Sequence, residues 1–228
     1  MAYNDILTQN TTATTQQHRV LRNTYALLAL SMVPTVLGAL VGTSIGAALM
    51  VGSPIISLLL FLGVCFGLMY GIEKTKDSGW GVVLLLAFTF FMGLMMGPLL
   101  RHALGFSNGG TLIATAAGGT GIIFFTLAGI ATTSKRDFSK MGSFLTIGVV
   151  LILVAAIANA FLHLPALTLA ISTVAVLVFS ALILVDIQRI VQGGETNYIT
   201  ATLAVYLDVY NIFVNLLQLL LAFGGERD

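Results

Sequence analysis

The chain contains seven apolar runs of membrane-crossing length: Tyr25–Gly46, Pro54–Ile72, Trp80–Leu100, Thr111–Ala131, Gly142–Leu162, Pro165–Ile190 and Ile199–Phe223. The first five hold no Asp, Glu, Lys or Arg. A helix needs about 20 apolar residues to cross a bilayer, whereas a barrel strand needs about 10 and alternates in polarity. These runs are long and do not alternate, so they predict helices. Charged residues make up only 8% of the sequence, against about 25% in an ordinary soluble domain. Mean hydropathy is +1.01. So few charges cannot cover a water-facing surface. The expected fold is an all-α integral membrane protein, with seven transmembrane helices in one bundle joined by short connections.

Two divisions follow. Residues 1–23 read as a polar, disordered cytoplasmic tail, rich in Thr, Gln and Asn up to Gln17. Residues 24–228 form the transmembrane domain. The tail has no apolar core or small-residue cleavage site, so it is not read as a signal peptide. The basic residues set orientation. Arg19, Arg22, Lys74, Lys76, Lys135, Arg136, Lys140 and Arg189 fall on one side of a seven-span chain, and Arg101 and Arg227 on the other. Cytoplasmic loops carry the excess of Lys and Arg, which places the N-terminus in the cytoplasm and the C-terminus outside. The Asn10-Thr11-Thr12 sequon then lies on the wrong side for glycosylation.

The net charge of +1 says nothing about nucleic acid, but there is no basic stripe or recognition motif for one, so no nucleic-acid partner is expected and the lipid bilayer is the expected surroundings. Cys65 is the one cysteine; it cannot form an internal disulfide and reads as a packing residue. Small residues recur at every fourth position, at Gly38, Gly42 and Gly46, at Gly63, Gly67 and Gly71, and at Gly93 and Gly97. Such stripes let helix backbones approach closely. Pro98 is expected to kink or end the third helix, because it lacks a backbone donor.

The residues with chemical potential lie in the last two runs. Asp208, Asn211, Asn215 and Gln218 fall within an arc of roughly 80° on a helix that is otherwise apolar. An acid facing lipid costs about 3 kcal/mol, so this stripe should face protein. Interhelical hydrogen bonding explains the amides better than it explains the acid. Asp186 is the natural partner for Asp208. It lies about four residues from the end of its own run, Asp208 roughly 13 Å or less into the next, and the link between the two is short. Two carboxylates there would titrate as a unit. Such a pair suits a proton sensor or a weak calcium site completed by Asn211, carbonyls or water. Arg189 offers Asp186 an alternative partner at i,i+3.

An aspartyl-protease reading fails on motif: Val205, Tyr206 and Leu207 precede Asp208 with no glycine, and Pro165-Ala166-Leu167 precedes both acids. No enzyme activity is expected. Asn159 and His163 share a face near the outer surface and read as a satisfied polar pair. Arg101-His102 reads as an interfacial anchor, and Trp80, Tyr25 and Tyr70 fit an aromatic belt.

"GLMMGPLL" (Gly93–Leu100) and "ATAAGGTGIIFF" (Ala114–Phe125) resemble the signature region of the Bax inhibitor-one (TMBIM) family. Gly97-Pro98 and Thr120 match it, and Gly121 stands where the family usually has Ala. "QGGETNYITAT" and "YNIFVNLLQLL" are similar to its bacterial YccA-like branch. The resemblance runs from "HRVLRNTYALL" (His18–Leu28) to the end. It implies seven helices with the last one enclosed by the others. It implies that Asp186 and Asp208 occupy the positions of a di-aspartyl pH sensor controlling a calcium leak. For the branch, it implies a bacterial inner-membrane protein that binds the membrane protease FtsH and restrains it. No resident cofactor is implied; calcium enters only as a transported or bound ion. Other members carry a basic partner for the sensor on the second span. Pro54–Ile72 has none here, and Lys74 and Lys76 lie just beyond it.

Overall fold

A computed structural model describes residues 2–49 and 54–226, with side chains over 15–44 and 56–226. The side chains of Asn10, Thr11 and Thr12, the surroundings of Gly46, and the whole of Arg227 lie outside it. The helices are α1 (Ala2–Leu49), α2 (Pro54–Thr75), α3 (Gly79–Ala103), α4 (Gly109–Thr133), α5 (Gly142–Leu162), α6 (Pro165–Val191) and α7 (Tyr198–Gly224), with a 3-10 turn at Ser139–Met141 before α5. Among the described residues, seven helices are long and apolar enough to cross a membrane. This is a polytopic membrane protein. The spans match the apolar runs because backbone groups in hydrocarbon must be satisfied within the segment, which a helix alone achieves here.

Two boundaries differ from the sequence expectation. Helix α1 runs from Ala2 with no break at residue 23, where composition points to a disordered tail. Propagating a helix that is already nucleated adds one hydrogen bond per residue fixed, so a polar stretch joined to a stable span can continue it. Pro98 neither ends nor interrupts α3, which continues to Ala103.

The chain forms two units. The first takes the residues up to His102 together with Gln192–Ala204. Within it, α1 and α3 touch backbone to backbone. A Cβ on Gly38 would overlap the Phe90 carbonyl oxygen, one on Gly93 the Thr35 carbonyl, and one on Gly97 the backbone of Gly42. Gly42 also lies against the Leu94 carbonyl. That is the carbonyl that Pro98, four residues on, cannot bond. Packing of a glycine Cα on a carbonyl that lacks its helical donor suits an apolar medium. The α2 stripe behaves differently. Gly63 and Gly67 have nothing within 4 Å of an added Cβ. Gly71, the third of that stripe, meets only a side chain, Leu84 Cδ1 at 3.2 Å. Identical spacing therefore brings backbones together on α1 and α3 but not on α2.

The loop between α6 and α7 belongs to this first unit. Asn197 caps α7, accepting from the Ile199 and Thr200 amides at 2.9 and 3.3 Å. Its Nδ2 donates to the Lys76 carbonyl and to Asp77 Oδ1 at 3.0 and 2.9 Å. Gly193, at φ +78°, has the Gln17 side chain against it. In the first turns of α7, Thr202 Oγ1 donates to Tyr198 O at 2.6 Å.

The second unit takes Ala103–Val191 and the chain from Val205 onward. Its buried residues include Phe124, Phe179, Ile183, Ile187, Ile212 and Leu217. Helix α6 packs against both α4 and α5. The α5–α6 turn closes on His163, which is left-handed at φ 52°. Asn159 holds that turn, accepting from the Leu164 amide at 3.0 Å and donating to Thr168 Oγ1 at 2.7 Å. The far end of α7 is clasped by the α3–α4 loop. Asn108 Nδ2 donates to the Gly224 carbonyl at 2.6 Å, Ser107 Oγ donates to the Glu226 carbonyl at 3.1 Å, and Asn108 Oδ1 accepts from the Glu226 amide at 3.2 Å.

Candidate functional site

The second unit brings Asp186 and Asp208 together. Asp208 is 3% exposed, and its side chain is within hydrogen-bonding reach of the Asp186 carboxyl. Asp186 is half-buried. The second oxygen of Asp208, Oδ2, is buried and has no hydrogen-bond partner. A buried, unsatisfied carboxylate oxygen is costly, so this atom is set apart from the satisfied polar groups around it.

The remaining stripe residues divide into two kinds. Asn211 and Asn215 donate to carbonyls one turn back on their own helix, Leu207 and Asn211, each at 2.8 Å. They bind α7 to itself through these groups. Gln218 is the amide that reaches another helix: its Oε1 accepts from Ser172 on α6 at 2.9 Å. Ser172 is fully buried, so this bond tethers α6 to α7 in the interior.

The cations that the sequence offered as partners are each exposed or engaged within their own unit. Arg189 is exposed, and Lys76 pairs with Glu73. Lys74 sits over the Tyr70 ring at 5.1 Å. Among the described residues, no group of three His, Cys, Asp or Glu side chains is placed to hold a metal ion. Asp186 and Asp208 alone offer fewer oxygens than the 6–8 that calcium takes.

Gln188, two residues beyond Asp186, was not among the residues singled out from the sequence. It is 2% exposed. Its Oε1 accepts from the Phe138 amide at 2.6 Å, and its Nε2 donates to the Arg136 carbonyl. One buried amide thus holds the α4–α5 loop to the end of α6. Asn197 was missed as well. The signals were an amide inside an apolar helix next to an acid, and an Asn directly before a helix start.

The profile of the family described as Inhibitor of apoptosis-promoting Bax1 matches residues 17–225. The chain belongs to this Bax inhibitor family. The match spans both aspartates and all seven apolar runs. Several bacterial relatives extend over nearly the same length. The Escherichia coli K12 protein named Modulator of FtsH protease YccA is 43% identical over 203 residues, covering 89% of this chain and 90% of the relative. An uncharacterised Neisseria meningitidis protein is 38% identical over 220 residues, covering 95% and 96%. A Vibrio cholerae membrane protein is 41% identical over 207 residues, covering 91% of each. As a Bax inhibitor family member, the chain carries its two membrane-depth acids on α6 and α7, the helices that Gln218 and Ser172 also join.

Proposed function

We propose that this protein is an inner-membrane modulator of an FtsH-type membrane protease and acts by binding rather than by catalysis. The 43% identity with the relative named Modulator of FtsH protease, over 89% of this chain, carries the reading. The bias of basic residues supports a cytoplasmic N-terminus and a periplasmic C-terminus. The polar N-terminal segment is then the part of the chain that a cytoplasmic ATP-driven protease domain would grip. Cross-linking and co-purification from the native membrane test the partnership. Deleting Met1–Gln17 should lengthen the protein's life in cells. An unchanged half-life, together with no co-purified protease, would refute this reading.

The Asp186–Asp208 contact favours a second reading, a pH-sensitive calcium leak. Two carboxyls that hydrogen-bond need a proton between them and exchange it as a unit. The unpartnered Oδ2 of Asp208 offers a ligand atom to a passing cation. Purified protein in liposomes should pass calcium with a pH dependence that Asp208→Asn removes. Flux no greater than that of empty liposomes at every pH would eliminate this reading and leave the first untouched.

A further inference from the structure

The end of α6 and the loop before α5 also carry exposed positive charge. The stretch 134–141 joins α4 to α5, both helices of spanning length. Lys135, Arg136 and Lys140 are exposed on it. Arg189, also exposed, lies in the last turn of α6, next to the Gln188 that holds this loop. Asp137 is the one acid in the stretch. Its carboxylate accepts from the Ser139 amide at 2.9 Å and from the Ser139 hydroxyl at 2.5 Å. Four exposed cations thus stand against a single carboxylate.

The loop is held in place from below. The two bonds from the buried Gln188 amide fix its backbone at Arg136 and Phe138. The 3-10 turn packs against α6 and α5, and no side chain caps the start of α5. A helix start favours anions. Just beyond the cations, Met141 and Phe144 are 43% and 75% exposed. Cations followed at once by exposed apolar side chains, at the end of a spanning helix, match a surface that meets phosphate and acyl chain together. Lys and Arg near an anionic leaflet are attracted to it, and Arg forms bidentate bonds with phosphate.

We propose that residues 134–141 and the end of α6 bind the headgroups of anionic phospholipids, with Lys135, Arg136, Lys140 and Arg189 meeting the phosphates. Gln188 is the positioning residue that holds the loop in its binding shape.

The test uses full-length protein in neutral detergent, titrated with phosphatidylglycerol or phosphatidylcholine, with retained lipid counted by native mass spectrometry. Phosphatidylglycerol should be retained over phosphatidylcholine. Neutralising Lys135, Arg136 and Lys140 to Gln should cut that preference about tenfold or more. Gln188→Ala keeps every cation and should cut it several-fold. If Gln188→Ala does not fold, Gln188→Glu replaces it, keeping the acceptor for Phe138 and losing the donor to Arg136. Arg19→Gln with Arg22→Gln, which removes charge from α1, should leave the preference intact. Absence of any preference in the natural protein overturns the proposal. So does an equal loss in the Arg19/Arg22 variant, which would mean general charge attraction. A folded Gln188 variant with undiminished preference overturns the positioning role. Displacement of the lipid by millimolar inorganic phosphate would make this a free-anion site and also overturn the proposal.

Discussion

The contact between α1 and α3 makes a quantitative prediction from a change of one methyl group. In Gly97→Ala, the new Cβ would overlap the Cα, carbonyl carbon and oxygen of Gly42 at once. All three are backbone atoms, so no rotamer change can absorb the clash. The helices must move apart, and the separation loosens the Gly38–Phe90 and Gly93–Thr35 contacts of the same seam. Inserting a methyl into a packed interior costs about 1–3 kcal/mol, and this site belongs at the upper end. Gly63→Ala is the matched control. It meets nothing within 4 Å, and replacing a helical glycine by alanine stabilises by about 0.5–1 kcal/mol. The two variants should therefore differ by about 3.5–4 kcal/mol, a factor of several hundred in the unfolding equilibrium. Reversible unfolding in mixed micelles, followed by far-ultraviolet circular dichroism, measures the difference. Equal midpoints for the two variants would refute the argument that α1 and α3 interlock through their backbones.

Two further outcomes follow from the loops. Asn197→Ala removes the cap of α7 and both side-chain bonds to residues 76 and 77. It should cost about 1–2 kcal/mol, and hydrogen exchange should speed up first at the Ile199 and Thr200 amides. Asp137 is exposed, and the Ser139 hydroxyl and amide that donate to it hold its carboxyl below the ordinary value of 3.8. With a lowered folded value, its stabilising bond is fully present above the unfolded value and is lost as pH falls through the folded one. Protection of the Ser139 amide, measured against its intrinsic exchange rate at each pH, should therefore fall only in acid, and Asp137→Asn should abolish that fall.

Helix number and span boundaries were legible in the sequence because the bilayer imposes them locally, segment by segment. The neighbour of each helix face was not. The stripe on α7 falls within one arc, as the 100° rotation requires, yet angular position does not distinguish an amide that bonds its own helix from one that reaches across. Asn211 and Asn215 do the first, and Gln218 does the second. Glycine spacing is equally blind: it reads the same on α2 as on α3, although only α3 finds a partner backbone. The matched depths of Asp186 and Asp208 did point to a pair, because a short connection leaves two antiparallel helices little choice of neighbour. Gln188 and Asn197 were overlooked because their partners lie 50 and 121 residues away.

The clasp on the end of α7 bears on how the protein is made. A chain emerging from the ribosome presents Asn108 long before its partner: the bond to the Gly224 carbonyl closes a separation of 116 residues. Until then the α3–α4 loop lacks the helix end it holds. Assembly of the second unit is therefore timed by translation, and its completion waits for the final turn of the seventh span to clear the insertion machinery.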